Sequence, residues 1–226
     1  MATLGEYLGA GSATTKLLLH LNGNSTDSSG NGNNGTDTAI TYSAGKFGQG
    51  AGFNGSNSKI ALSSTFTDLT SNWTVSMWVK RGATGNNIYP LFSRWKSTTQ
   101  ERQLYIYFSS NAISGRQDKI QVDIPYIKAI LTSSTTITDS NYHLITVTKN
   151  STTWSIYIDG SLSSSIVDAS SQESAQTTSP YIGHNLPDVT TYFNGSLDEV
   201  IIENRAWTAS EVKKYYSYAK GRFGII

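Results

Sequence analysis

The sequence contains no cysteine, and only four prolines occur among its 226 residues. The chain can therefore form no disulfide and can carry out no thiol chemistry. An excess of one charge is also missing, because the formal net charge is +1 with no basic or acidic block. This balance argues against nucleic acid and against an anionic membrane as partners. No apolar run is long enough to span a bilayer, and residues 1–15 lack the basic start and apolar centre of a secretory signal.

Alternation of apolar and other residues with a period of two dominates the chain. In residues 73–80, for example, Val75, Met77 and Val79 alternate with Ser76 and Trp78, which predicts a strand with two different faces. The same pattern recurs in residues 104–108 and 154–159, and Asp159-Gly160 predicts a hairpin turn. Residues 120–124 also alternate, and Pro125 should end that strand or place it at an edge. Many short strands with a single convincing helix predict two packed antiparallel sheets.

The stretch from residue 192 to residue 220 predicts a turn, a strand and a helix in succession. Residues 197–203 are rich in Val and Ile and favour a strand. Thr208 lies three residues before Glu211, a spacing typical of a capping box at a helix start, and Gly221 is placed to end the helix. A helix beginning here presents one apolar stripe, consisting of Val212, Tyr215, Tyr216 and Ala219.

Five segments together resemble laminin-G-like domains of the concanavalin A-like lectin/glucanase superfamily. The closing segment contains Gly195, Leu197-Asp198-Glu199-Val200, Asn204-Arg205-Ala206 and Glu211, and the other four lie at residues 17–36, 45–62, 73–80 and 143–160. The resemblance implies an all-β, concanavalin A-like jelly-roll β-sandwich of two antiparallel sheets with one short C-terminal helix. We expect this sandwich to span residues 16–220, with an N-terminal arm at 1–15, a short helix near Leu4–Leu8 and a C-terminal tail at 221–226.

The long polar loop at residues 22–38 suggests a bound hard cation. Four of its residues occupy positions 1, 3, 5 and 6 of an EF-hand-like loop, namely Asp27, Ser29, Asn31 and Gly32, but position 12 is Thr38 rather than the required Glu. The loop is therefore no EF-hand. The family resemblance implies a structural calcium site that joins Asp27 to Asp198 of the last strand. The alternative is an Asx-turn at Asp27 and a hydrogen-bonded Asp198, without a metal.

Aromatic residues of several predicted strands point away from the predicted core. If these strands share one sheet, their rings would form a stacking platform for sugars, made of Trp78, Tyr105, Tyr107 and Tyr157. Arg94 and Trp95, in a predicted loop at 91–99, would lie at its rim. The alternative is that the rings are half-buried cross-strand pairs that stabilise the sheet.

The sequence favours a protein without catalytic activity. Glu199 and Glu203 would lie roughly 13 Å apart on one strand, whereas glycosidase pairs need about 5–9.5 Å. The clustered acids of glucanases with this fold are absent, and no GxSxG motif is present. The GxGxxG pattern at residues 30–35 leads into β-like sequence, which excludes a dinucleotide-binding βαβ unit.

These observations predict a non-catalytic, lectin-like module that binds glycans or cell-surface polysaccharide and holds a structural calcium. The alternative is a virion structural protein, such as a phage capsid decoration or tail-appendage component, that contacts other virion proteins through its termini. A polysaccharide hydrolase ranks third. Either of the first two functions places the protein outside the cell or on a virion surface.

Overall fold

The alternating segments form strands in a computed structural model, which describes residues 13–63, 69, 71–82, 87–96, 101–109, 115–123, 130–169, 178–185 and 191–221. Within these residues the strands are β1 (Thr15–Leu19), β2 (Thr36–Thr38), β3 (Thr41–Ala44), β4 (Gln49–Asn54), β5 (Lys59–Ala61), β6 (Trp73–Arg81), β7 (Tyr89–Lys96), β8 (Glu101–Phe108), β9 (Lys119–Asp123), β10 (Ile130–Thr136), β11 (Tyr142–Asn150), β12 (Thr153–Ile158), β13 (Ser161–Val167), β14 (Tyr181–Ile182) and β15 (Asn194–Glu203). The same described residues contain one helix, α1 (Ala209–Gly221).

The strands build two antiparallel sheets. Sheet A has the order β13-β12-β11-β6-β15-β4-β3, and β1 also pairs with β15. Sheet B has the order β10-β9-β8-β7-β14-β5-β2. Because β4 pairs with residues 194–197 of β15 and β1 pairs with residues 200–203, these two strands share one edge of β15. The predicted antiparallel sandwich is confirmed.

The core lies between the sheets and follows the predicted alternation. Val75, Met77 and Val79 of β6 are buried there from sheet A, and Leu104 and Ile106 of β8 are buried there from sheet B. Burial of apolar side chains in this layer provides most of the driving force for folding. Side chains between these positions therefore lie on the outer faces of the sandwich.

Helix α1 begins with the predicted capping box. The Glu211 backbone N–H donates to the Thr208 hydroxyl at 3.2 Å, and the Thr208 backbone N–H donates to the Glu211 carboxylate at 2.7 Å. The apolar stripe of the helix packs on the outer face of sheet A, where Val212 and Tyr215 are buried beside Trp78. The helix therefore covers the middle of that face. In the described part of the chain, no helix combines the length and apolar character needed to cross a membrane.

Strand β1 and helix α1 are the first and last elements of the described chain. Strand β1 begins at Thr15, and the Thr14 carbonyl accepts a hydrogen bond from the Asn204 backbone N–H at 2.9 Å, so the ordered sheet includes the last residues of the predicted arm. The predicted helix near Leu4–Leu8 lies outside the described residues, as does the predicted tail at 221–226 apart from Gly221. Both stay predictions.

His143 connects two turns at one end of the sandwich and makes stability depend on pH. Its Nδ1 lies 2.7 Å from Asp159, and its Nε2 lies 3.0 Å from Asp139. The hydrogen bond to Asp159, opposed by burial and assisted by Asp139, raises the pKa of His143 to about 9 from its usual 6.5. A raised histidine pKa stabilises the folded protein fully below about pH 6.5, and this contribution is lost as the pH rises towards 9.

We expect the free energy of unfolding to fall between pH 6.5 and 9 by roughly 1–2 kcal/mol, since both partners are partly exposed to solvent. Urea denaturation at closely spaced pH values measures this slope. The His143→Gln variant should lose the slope in that window. An equal slope in the variant would assign the pH dependence to another group.

Candidate functional site

Asp27, one of the two predicted calcium ligands, organises its own loop. Its Oδ1 accepts hydrogen bonds from the backbone N–H groups of Leu18 at 3.0 Å and Ser29 at 2.9 Å. Its Oδ2 accepts from the Ser29 hydroxyl at 2.8 Å and the Asn33 backbone N–H at 2.9 Å. The bond to the residue two positions ahead is an Asx-turn. Four donors thus surround this carboxylate.

Asp198, the other predicted ligand, is fully buried on β15 opposite Trp78. Its Oδ2 accepts from the Phe47 backbone N–H at 2.8 Å, whereas Oδ1 has no hydrogen-bond partner in the described part of the chain. Burial raises the pKa of Asp198 to about 7, although the Phe47 N–H opposes the change. A buried carboxylate with one unpaired oxygen is costly while it is ionised.

Strand β1 separates the two carboxylates. Leu19 of this strand pairs with Val200 of β15 on one side and with Asp27 on the other. Among the described residues, no group of three or more His, Cys, Asp or Glu side chains is arranged to hold a metal ion. Asp27 caps its own loop, and its predicted meeting with Asp198 at a shared cation stays a prediction. Calcium binding itself stays a prediction.

The four predicted platform aromatics do not share a sheet. Trp78 and Tyr157 belong to sheet A and lie beneath α1, where Trp78 is 1% exposed and stacks on Tyr216. Tyr105 and Tyr107 belong to sheet B and stack on each other with ring centroids 4.3 Å apart. The topology therefore rules out a single platform. The alternation of residues along a strand shows which side chains share a face, but it does not show to which sheet the strand belongs.

The predicted loop at 91–99 is largely strand β7. Arg94 pairs with Leu104 and is in phase with Phe92, so it lies on the core-facing side of the strand and is 1% exposed. A rim position for Arg94 is therefore wrong. The side chain of Trp95 lies outside the described residues, and its predicted role stays a prediction.

The outer face of sheet B combines aromatic and polar side chains in one cross-strand row. Tyr181 of β14 pairs with Ser93 of β7, which pairs with Tyr105 of β8, which pairs with Asp123 of β9. The Tyr107 hydroxyl donates to Asp123 at 3.0 Å. No described helix packs on this face, in contrast to the face under α1, but Ser93, Tyr105 and Asp123 are themselves buried.

A second aromatic group lies at the Tyr181 end of this row. Gly183 turns the chain at φ +76° so that His184 forms a bridge with Tyr192. The His184 ring stacks on Tyr192 with centroids 4.4 Å apart and 14° between the planes, and Tyr181 contacts it edge-on at 5.5 Å. A Cβ at position 183 would lie 2.2 Å from the Phe53 ring, so only glycine fits there without a shift of the core.

We use the name His184 cluster for Lys59, Tyr181, His184, Asn185, Thr191 and Tyr192. The His184 Nδ1 lies 3.1 Å from the Thr191 carbonyl, which can only accept, so Nδ1 donates and the neutral ring presents Nε2 as an acceptor. Burial lowers the pKa of His184, the Thr191 carbonyl opposes this effect, and Lys59 reinforces it. The ring is therefore neutral at pH 7.

Polar atoms without partners accompany the rings of the His184 cluster. The side-chain oxygens of Asn185 and Thr191 are buried and have no hydrogen-bond partner within the described chain. The side chains of Tyr181 and Tyr192 are half-buried. Unpaired buried oxygens are costly, and a ligand that donates hydrogen bonds would remove that cost. The arrangement suits a ligand with both apolar faces and hydroxyl groups.

Sequence reasoning missed the His184 cluster. It assigned His184 no role, because the pairing of residue 184 with residue 192 becomes visible only once the register is known. The available signal was a histidine after a glycine, flanked on both sides by tyrosines in a short stretch without helix pattern.

Residues 54–213 match the laminin-G-type model described as the concanavalin A-like lectin/glucanases superfamily. The chain belongs to this superfamily. No curated protein sequence matches the chain.

Solved structures share the concanavalin A-like fold at low sequence identity. Domain 4 of AbnA, a GH43 extracellular arabinanase from Geobacillus stearothermophilus in complex with arabinotriose, aligns with a TM-score of 0.70 and 22% identity over 90% of this chain and 99% of that one. The binding domain of Paraclostridial Mosquitocidal Protein 1 aligns with a TM-score of 0.70 and 18% identity over 96% and 53%. A structure of botulinum neurotoxin type C, whose cell entry depends on two ganglioside molecules, aligns with a TM-score of 0.69 and 13% identity over 94% and 53%. The chain thus spans nearly all of the arabinanase domain and about half of each toxin structure.

Proposed function

We propose that the protein is a non-catalytic glycan-binding module whose ligand contacts the His184 cluster. The observation that supports this most directly is the stack of His184 on Tyr192, beside Tyr181 and beside two buried oxygens without partners. Aromatic faces pack against the C–H faces of sugar rings, while polar atoms next to them select hydroxyl groups. The cluster offers both on a sheet face that no described helix covers.

The likeness to carbohydrate-associated proteins is consistent with this proposal. The arabinanase domain was solved with arabinotriose, and the neurotoxin depends on gangliosides. We propose, by the same reasoning, that the module acts outside the cell, as the arabinanase does. The virion role rests on the termini, of which residues 1–12 and 222–226 lie outside the described chain, and it stays a prediction.

A glycan array followed by calorimetric titration tests the proposal. We expect Tyr192→Ala and Tyr181→Ala each to weaken binding of the array-selected glycan at least tenfold, because each removes a ring of the cluster and tenfold corresponds to about 1.4 kcal/mol. Tyr142→Ala is the matched control, since Tyr142 is a half-buried strand tyrosine beside a lysine on sheet A.

Circular dichroism and thermal unfolding should show that all three variants are folded. If Tyr192→Ala and Tyr181→Ala both bind the glycan with unchanged affinity, the binding site does not lie at the His184 cluster. If the folded wild-type protein binds none of the glycans on an array that includes plant, bacterial and animal glycans, the proposed function is contradicted.

A further inference from the structure

We propose that the glycan recognised at the His184 cluster is acidic and that its carboxylate pairs with Lys59. This inference rests on the proposed function and deepens it, because it names the class of ligand. It starts from a cation at the edge of the cluster that has no acidic partner among the described residues.

Lys59 lies on the same outer face as Tyr181. In β5 the middle residue, Ile60, is buried in the core, so Lys59 and Ala61 point outward. Ala61 pairs with Tyr181 of β14, and the Lys59 Nζ lies 5.5 Å from the centroid of the Tyr181 ring. The lysine is half-exposed, so its ammonium group is within reach of a ligand that stacks on the tyrosine.

The described acidic residues around β5 do not neutralise Lys59. Asp37 of the neighbouring strand β2 pairs with Ile60, and its carboxylate accepts hydroxyl hydrogen bonds from Ser25 at 2.6 Å and Tyr42 at 2.7 Å. Asp123 lies in the cross-strand row of Ala61 and Tyr181. It is four strands away from β5, which is about 19 Å at the usual strand spacing. Lys59 forms no ion pair within the described chain.

An unpaired ammonium group beside polar and aromatic groups favours an anionic ligand. A carboxylate bound there would gain a charge-assisted hydrogen bond, which is roughly twice as strong as a neutral one. Lys59 is also the charged group that acts on the pKa of His184, so the surroundings of that ring are cationic. A neutral sugar would use the rings and the unpaired oxygens but would gain nothing from Lys59.

The molecule contains a matched control for this lysine. Lys80 of β6 lies with its Nζ 5.9 Å from the centroid of the Tyr142 ring, to which it is paired across sheet A. Lys59→Met and Lys80→Met remove the same charge from similar surroundings, and only the first lies in the His184 cluster. A general effect of net charge would appear equally in both variants.

Two pairs of probes test the inference and distinguish the source of the carboxylate. The first pair is a galacturonic acid oligomer and its methyl ester, and the second is 3′-sialyllactose and lactose. We expect the wild-type protein to bind at least one acidic probe five- to tenfold more tightly than its neutral counterpart. This ratio should fall to about one in Lys59→Met, stay unchanged in Lys80→Met, and shrink in the wild type at high salt because screening weakens the ion pair.

The outcomes separate the two proposals. Equal binding of acidic and neutral probes by the wild type would overturn the acidic ligand, and a ratio that survives in Lys59→Met would overturn its pairing with Lys59. Either result would leave a glycan-binding site in place. If the protein binds none of the four probes and no glycan on the array, both the proposed function and the acidic ligand are overturned.

Discussion

Replacing Arg81 with methionine is expected to lower the free energy of unfolding by about 3–5 kcal/mol, the usual cost of breaking a buried ion pair from one side. Arg81 ends β6 in sheet A and is 3% exposed. Its Nη1 donates to Asp118 at 2.8 Å and to the Ile137 carbonyl at 2.6 Å, next to strands β9 and β10 of sheet B. The guanidinium also lies 4.3 Å from the centroid of the Phe108 ring. Its removal would leave the Asp118 carboxylate buried without this partner.

A double-mutant cycle isolates this contact. The free energy of unfolding is measured by urea denaturation for Arg81→Met, Asp118→Asn and the double variant. We expect the loss in the double variant to be smaller than the sum of the two single losses, because each single change leaves the other buried group without its partner. Lys80→Met, at the exposed neighbouring position, should change stability by less than about 0.5 kcal/mol. A loss below about 1 kcal/mol in Arg81→Met would show that the ion pair does not hold the sheets together.

Replacing Asp198 with asparagine is expected to stabilise the metal-free protein above pH 7. The folded pKa of about 7, against an ordinary 3.8, corresponds to up to about 4 kcal/mol. Because the folded state binds the proton more tightly, stability falls as the pH rises from about 4 to 7 and is lowest above that window. Asparagine removes the charge and keeps an oxygen for the Phe47 N–H, so unfolding in EDTA should become less dependent on pH in this window.

The same variant tests the calcium prediction. If calcium binds through Asp198, millimolar calcium should raise the midpoint of thermal unfolding of the wild-type protein and leave Asp198→Asn unchanged. Asp27→Asn should be destabilised with or without calcium, since Asp27 accepts four hydrogen bonds in its own loop. A wild-type midpoint that is identical in calcium and EDTA would refute a stabilising calcium site.

Local signals explain which parts of the fold were predictable. Thr208 and Glu211 satisfy each other within three residues, so the helix start could be placed before any tertiary contact was known. The alternation around Met77 likewise gave the correct inward and outward faces. It could not tell that Trp78 and Tyr105 lie on opposite outer faces, because sheet membership depends on pairings between distant strands.

The candidate site was less predictable for the same reason. Lys59 and Tyr181 become neighbours only through the pairing of β5 with β14. His184 and Tyr192 become neighbours only through a bridge whose register the sequence does not reveal. Asp27 shows a different limit of sequence reasoning. Its sequence pattern suits both a cation and an Asx-turn, and the structure shows the turn.

The positions of β1 and α1 have a practical consequence for surface-based binding measurements. Thr15 lies beside Glu203 at one border of sheet A, and α1 rests on the outer side of the same sheet. Biotin attached to an exposed lysine of α1, such as Lys213, would therefore anchor the molecule from the sheet A side. The layer with Tyr181 and Tyr192 would then point towards the flowing solution.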